Sequence, residues 1–200
     1  AADVRSSSSH RCRRGTSSSS NAEVQPSLSD GTVVLDRHSD DDLEAHLAGE
    51  DEEQARRFGW YPRRSTRASV RRAFDGWAAD WSSNGPNRTF ALRDADSCVL
   101  AGGVQVRLRE KGVAHLSYWV FPQFRGRGFA TRGLRLVSAW ALTDLGVERL
   151  ELYIEPANEA SRAVARAAGF VERGVLRQHE RIGETLRDMI LCSRGLDPPR

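Results

Sequence analysis

The sequence has only three cysteines in 200 residues, Cys12, Cys98 and Cys192, too far apart for a Cys-x-x-Cys redox or metal pair. The expectation is free thiols in a reducing cytoplasm and no metal site. No apolar run reaches the roughly 18 residues that a spanning helix needs, so no membrane association is expected. Charge of one sign is also missing: 30 Lys and Arg face 27 Asp and Glu, a net +3. All of that excess lies in residues 1 to 20, where Arg5, Arg11, Arg13 and Arg14 outnumber Asp3. Phosphate-backbone binding needs cations clustered on a folded face, which argues against a nucleic-acid partner. Lysine is nearly absent, Lys111 alone. With abundant arginine and alanine, this reads as the drift of a GC-rich bacterial genome.

Residues 1 to 26 are rich in Ser and Arg, lack apolar periodicity and lack the hydrophobic segment of a signal peptide. They read as a disordered or appended tail, followed by one domain over 27–196 and a short tail over 197–200. Within the domain, "TVVLDRH" (32–38) reads as a strand, and "SDDDLEAHLAG" (39–49) as a short helix with a capping box of Ser39 and Asp42. An acidic run, Glu50 to Glu53, precedes an arginine-rich stretch. Val70, Phe74, Trp77 and Trp81 then recur at helical spacing, predicting an amphipathic helix over 65–81.

Three strand candidates follow, 88–94, 97–108 and 113–121, separated by the turn clusters "DADS" and "REKG". Such short connections predict an antiparallel meander. A helix over 128–145, a strand over 147–155, a helix over 158–169 and a closing pair of strands complete the pattern. A meander followed by this alternation predicts an α/β (α+β) domain: a mixed, mostly antiparallel sheet of about six to seven strands covered by helices.

Between the third meander strand and the long helix lies "PQFRGRGFATRGLRL" (122–136), with Gly126 and Gly128 spaced by one arginine. Glycine lets backbone approach a ligand, and a helix beginning directly behind it presents free N–H groups and a positive dipole end to an anion. A Walker loop is excluded because Phe129 and Ala130 stand where Lys and Ser/Thr are required. A dinucleotide fingerprint would need a third small residue where Thr131 stands, and it would open the sheet rather than follow a meander. A pyrophosphate held by N–H groups is the remaining reading.

"QFRGRGFA" (123–130) resembles the Q/R-x-x-G-x-G/A signature of the GNAT N-acetyltransferases, and it stands where they carry it, after "YWVFP" and before a long helix. "LELYIEPANEASRAVARAAGFVERGVLR" (150–177) resembles their next strand, the Asn behind it and a helix ended by Gly-Phe. The resemblance covers roughly 32–195 and is nearest to the ribosomal-protein-alanine N-acetyltransferase (RimJ/RimL-like) branch. It implies an acyltransferase moving an acetyl group from acetyl-CoA to a primary amine, on a small molecule or a protein N-terminus, by direct transfer in a monomer or homodimer. The alternative is a non-catalytic acyl-CoA-binding or protein-interaction module on the same fold.

The resemblance also implies roles. The backbone of Trp119, Val120 and Phe121 would pair with the pantetheine arm where two strands part, and Gln123 together with N–H groups of Arg125, Gly126, Arg127, Gly128, Phe129 and Ala130 would hold the pyrophosphate. Asn158 would position the cofactor, although it serves equally well as a helix N-cap. Ser161, three residues further on, would face the sulfur; the tyrosine that many family members carry seven residues after the Asn is replaced by Ala165. The general base has three candidates: His115, on the Ser117 and Trp119 side of its strand, and Glu151 or Tyr153 on the next. Trp119, Trp60 and Tyr61, with the loop over 57–65, would border the acceptor.

Overall fold

The computed structural model describes residues 25–109 and 112–195. The expectations for nearly all of the N-terminal tail and for residues 197–200 fall outside them. Eight strands and five helices follow in the order β1 (Leu28–Ser29), β2 (Val33–Asp36), α1 (Leu43–Gly49), α2 (Glu52–Phe58), α3 (Arg67–Ser82), β3 (Asn87–Asp94), β4 (Leu100–Leu108), β5 (Val113–Val120), α4 (Phe129–Thr143), β6 (Arg149–Ile154), α5 (Glu159–Ala167), β7 (Val171–Ile182) and β8 (Thr185–Gly195). They form one sheet in the order β1-β2-β3-β4-β5-β6-β8-β7. Every neighbouring pair is antiparallel except β5 with β6. The extra strand over the expected count is β1, two residues too short to show an alternation.

The acidic run proves to be the first turn of α2. Asp51 caps it by accepting from the Gln54 N–H at 2.8 Å, and Gly59 ends it in a left-handed conformation at φ 82°. Glu52 pairs with Arg56 and Glu53 with Arg57, both at i, i+4, a spacing that supports a surface helix. Acidic residues at the start and arginines at the end also suit the helix dipole.

Helix α4 covers one face of the sheet, where Leu134, Val137 and Ala141 are fully buried and Gly133 packs against Leu92 and Val104. The opposite face meets α1 and α3, where His38, His46 and Trp77 surround the Trp119 ring and Phe74 packs behind them. Arg93 ties this layer to the sheet through Asp36 at 2.7 Å and Asp42 at 2.6 Å. The expectation of three free thiols fails at Cys98, which is disulfide-bonded, while Cys192 is free and buried.

Strand β5 stays paired with β4 along its whole length, from Leu108↔Ala114 to Gly102↔Val120. Its parallel pairing with β6 stops after three positions, the last being His115↔Glu151. Beyond that point β6 continues with β8 as far as Ile154↔Ile190, so β5 and β6 part and leave a wedge in the sheet. Glycine on β4 makes room for the Trp119 ring beside the wedge: a Cβ at Gly103 would sit 2.2 Å from it.

Gly103→Ala should therefore overpack the β4–β5 contact and destabilise the domain by about 1–3 kcal/mol. Urea unfolding of the variant checks this, with a lowered midpoint at unchanged slope as the expected result.

A candidate acyl-transfer cleft

The wedge opens into a cavity of about 550 Å³ lined by Tyr118, Trp119 and Val120 of β5, Gly126, Gly128, Phe129, Ala130 and Thr131 around the loop, and Asn158, Ser161 and Val164 of α5. Gln54, Arg57 and Phe58 of α2 close its other side. Its walls are made by secondary structure that stops early. β5 and β6 lose their common ladder there, and α4 and α5 both begin there with their N-terminal ends inward.

At the loop, Gly128 precedes α4 with φ 79° and no side-chain cap. Arg132 is the first residue whose N–H reaches back, to the Gly128 carbonyl at 3.0 Å. The amides of Phe129, Ala130 and Thr131 are thus left without helical partners, as helix geometry requires of a first turn. A Cβ built on Gly126 or Gly128 meets nothing within 4 Å, so both glycines face open space rather than packed protein. These features fit a phosphate group: donors and a positive dipole end converge on a site kept clear of side chains.

The loop arginines are less available than the sequence suggests. The Arg125 guanidinium is held by Asp51 at 2.6 Å and Glu53 at 3.1 Å, and its Nε donates to the Val120 carbonyl at 3.0 Å. It therefore fastens α2 and the end of β5 to the loop. Arg127 lies over the Phe124 and Phe129 rings and reaches Asp94 only at 3.5 Å. Neither Arg127 nor Gln123 lines the cavity.

The sequence reading gave β5 three pantetheine-pairing residues, and the register redistributes them. Phe121 donates its N–H to the Ala101 carbonyl at 2.8 Å, and its ring is buried beside Gly49. Because the two edges of an antiparallel strand alternate, Trp119, in register with Gly103, also directs its amide toward β4. Tyr118 and Val120 turn theirs toward the wedge. The Trp119 ring still lines the cavity.

A second, smaller cavity of about 210 Å³ continues from the first, lined by His115, Ser117, Tyr153, Glu155, Glu180, Arg181 and Met189 among others. Arg57, Phe58, Tyr118, Asn158 and Ser161 line both. Asn158 caps α5 by accepting the Ser161 N–H at 3.1 Å, so the capping reading of this residue holds alongside its place in the cleft. Ala165, by contrast, is fully buried in the core and touches neither cavity.

Among the three base candidates, Glu151 is spoken for: its carboxylate accepts from Arg149 Nε at 2.9 Å and from the Tyr153 hydroxyl at 2.8 Å, and it lines neither cavity. Burial and that carboxylate push Tyr153 up to about 12, far from any useful proton exchange. His115 packs its ring 4.9 Å from Tyr153 and opens onto the second cavity. Burial, helped by Arg107 and Arg109, lowers it to about 4, so it is neutral at pH 7 and a weak base there. Of the proposed acceptor aromatics, Trp119 lines the larger cavity, whereas Trp60 stacks on Phe58 at 5.3 Å and Tyr61 lies under Arg56 at 3.7 Å; neither of these two lines a cavity, and from their loop it is Phe58 that does.

Residues 32–171 match the family of the acetyltransferase (GNAT) domain, and the chain belongs to it. A Bacillus licheniformis protein described as uncharacterized N-acetyltransferase p20 is 26% identical over 116 residues, 57% of this chain and 65% of its own length. YdaF of Bacillus subtilis is 30% identical over 80 residues, 40% of this chain and 44% of its own. These matches thus span less than two thirds of either relative. Mycobacterium smegmatis RimJ, solved in complex with CoA-disulfide, shares the fold with a TM-score of 0.72 at 21% identity, covering 88% of each chain. Among the described residues no helix is long and apolar enough to cross a membrane, and no group of His, Cys, Asp and Glu could hold a metal ion.

Two outcomes are expected. Gly128→Glu places bulk and negative charge in the amide cradle and should abolish coenzyme A binding by calorimetry. Its left-handed backbone adds about 1–2 kcal/mol of strain, so the melting temperature should fall by only a few degrees. Separately, burial holds His38 at about 3 and His115 at about 4, below the ordinary 6.5. The unfolded chain then binds protons first as pH falls, so stability should decline from about pH 6.5 toward pH 4, by up to ~1.4 kcal/mol per pH unit for each histidine. Urea titrations across that range check the slope.

Proposed function

We propose that the protein transfers an acetyl group from acetyl-CoA to a primary amine, with the larger cavity holding the acyl donor and the smaller one the acceptor. The observation that carries this reading is the junction of the two cavities at Tyr118, Asn158 and Ser161. A donor whose pyrophosphate rests on the α4 amides would run its pantetheine arm along the open edge of β5 and bring its thioester to that junction. When bound, acetyl-CoA supplies the activated acyl carbon.

The chain's own residues supply the rest. The Tyr118 and Val120 amides, turned into the wedge, pair with the arm as an added strand would. Trp119, Phe58 and the apolar face of α5 exclude water from the thioester. His115, neutral at working pH, keeps a free ring nitrogen on the acceptor cavity that would hydrogen-bond the free amine and orient it. YdaF carries the description "putative ribosomal N-acetyltransferase" and RimJ was solved with CoA-disulfide, and both bear on this reading. The acceptor cavity carries both signs of charge, Glu155 and Glu180 with Arg57 and Arg181, and it is small. That suits a peptide N-terminus, with one amine and neighbouring carbonyl groups, better than a polyamine.

Calorimetric titration with acetyl-CoA, with NAD as control, should show micromolar or tighter binding of acetyl-CoA alone. Mass spectrometry of short peptides with free N-termini should then show added acetyl groups, and Ser161→Ala should slow the turnover by roughly 10-fold, the scale of one hydrogen bond to a charged group. Absence of acetyl-CoA binding would refute the reading. Binding with no acetylation of any peptide or small amine would favour the non-catalytic module.

A further inference from the structure

Transfer to an amine leaves a thiolate that needs a proton, and few groups at the junction carry one. Of the five residues common to both cavities, Phe58 has none. Arg57 is tied to Glu53 at 2.8 Å, and Asn158 has its carbonyl occupied as the α5 cap. That leaves the hydroxyls of Ser161 and Tyr118.

Tyr118 stands out as a buried group without a structural task. Its phenol oxygen is shielded from solvent and has no hydrogen bond of normal geometry, although it faces the Ser161 side chain. A buried hydroxyl left unpaired costs about 1–3 kcal/mol, and a phenylalanine would avoid that cost. The strand also fixes its direction. Tyr118 alternates with His115, Ser117 and Trp119 and so leaves β5 on the side of α5, while its backbone belongs to the splayed edge. Burial raises its pKa above the usual phenol value, so the phenol is protonated at neutral pH.

We propose that Tyr118 is a catalytic residue of this chain, the hydrogen-bond donor and proton source for the departing thiolate, acting on the sulfur directly or through Ser161 Oγ. The assignment rests on the acetyltransferase reading. As the amine nitrogen attacks the carbonyl carbon, the C–N bond forms and the C–S bond breaks, its electron pair passing to sulfur. Tyr118 gives its proton to sulfur, and the proton shed by nitrogen restores the phenol. The net change moves one proton from nitrogen to sulfur and consumes no other reagent. The amine loses its ammonium proton to water before it attacks, and His115 would orient it on the acceptor side of the wedge.

The test needs no acceptor. Coenzyme A is bound to the wild-type protein and to Tyr118→Phe, affinity is measured by calorimetry, and the thiol of the bound ligand is titrated by the ultraviolet absorbance of its thiolate. The expected result is equal affinity, with a bound thiol about 10- to 100-fold more acidic in the wild type, the range of a hydrogen bond to a charged group. Tyr118→Phe should also melt at the same temperature as the wild type or above it, because the lost hydroxyl had no structural partner. Equal thiol acidity in the two proteins overturns the role of Tyr118 and leaves the acetyltransferase reading standing. A variant that melts far lower, or does not fold, shows a structural hydroxyl and overturns it too. Failure of the wild type to bind coenzyme A removes both readings together.

Discussion

The structure depends on a ladder that stops. β5 and β6 pair over three positions and then diverge, each still held by its other neighbour. An interior strand with one unpaired edge is costly in a protein, because amide groups out of water need partners. Here the edge lies at the bottom of a cleft and is open to an extended ligand. The same divergence makes room for the N-termini of α4 and α5 to point inward. One interruption therefore creates a row of hydrogen-bonding groups and two positive dipole ends that converge on it.

Charge is arranged so that the anion site rests on backbone rather than on free side chains. The Arg125 guanidinium is committed to Asp51 and Glu53, and Asp51 in turn caps α2. This chain of contacts holds α2 across the cleft and fixes the loop before any ligand arrives. Amides fixed in this way need little rearrangement when a phosphate binds, whereas long arginine side chains would lose rotamer freedom. The pairing also lets α2 bring Arg57 and Phe58 to the junction of the cavities.

Much of this was readable from sequence, for identifiable reasons. The glycine loop and its helix showed themselves because φ-positive positions and a capless helix start leave a local signature. Helical spacing gave α3, and the turn clusters gave the meander. Helix α2 was hidden inside a charge run, although its Glu52–Arg56 and Glu53–Arg57 pairs were present in the spacing. Tyr118 was passed over for a deeper reason. Period-two alternation assigns residues to one face or the other, and it sent His115, Ser117 and Trp119 to one side. The cleft, however, lies in the plane of the sheet, where β5 and β6 part, so side chains of both faces and the backbone edge all reach it. Only the register, which records where the pairing ends, reveals that.

Several buried polar atoms without hydrogen bonds of normal geometry gather near this wedge: the Tyr118 hydroxyl, Trp119 Nε1 and both ring nitrogens of His38. Most buried polar groups in folded proteins are satisfied, so a cluster of exceptions calls for an explanation. The apolar setting of His38, between Phe74 and Trp77, supplies none by itself. Trp119 links the group, since its ring contacts His38 and His46 while lining the cleft beside Tyr118. Unpaired polar atoms gathered around Trp119, next to a ladder that stops, describe a region shaped by what it must hold rather than by its own stability. A core chosen for stability alone would place apolar residues there.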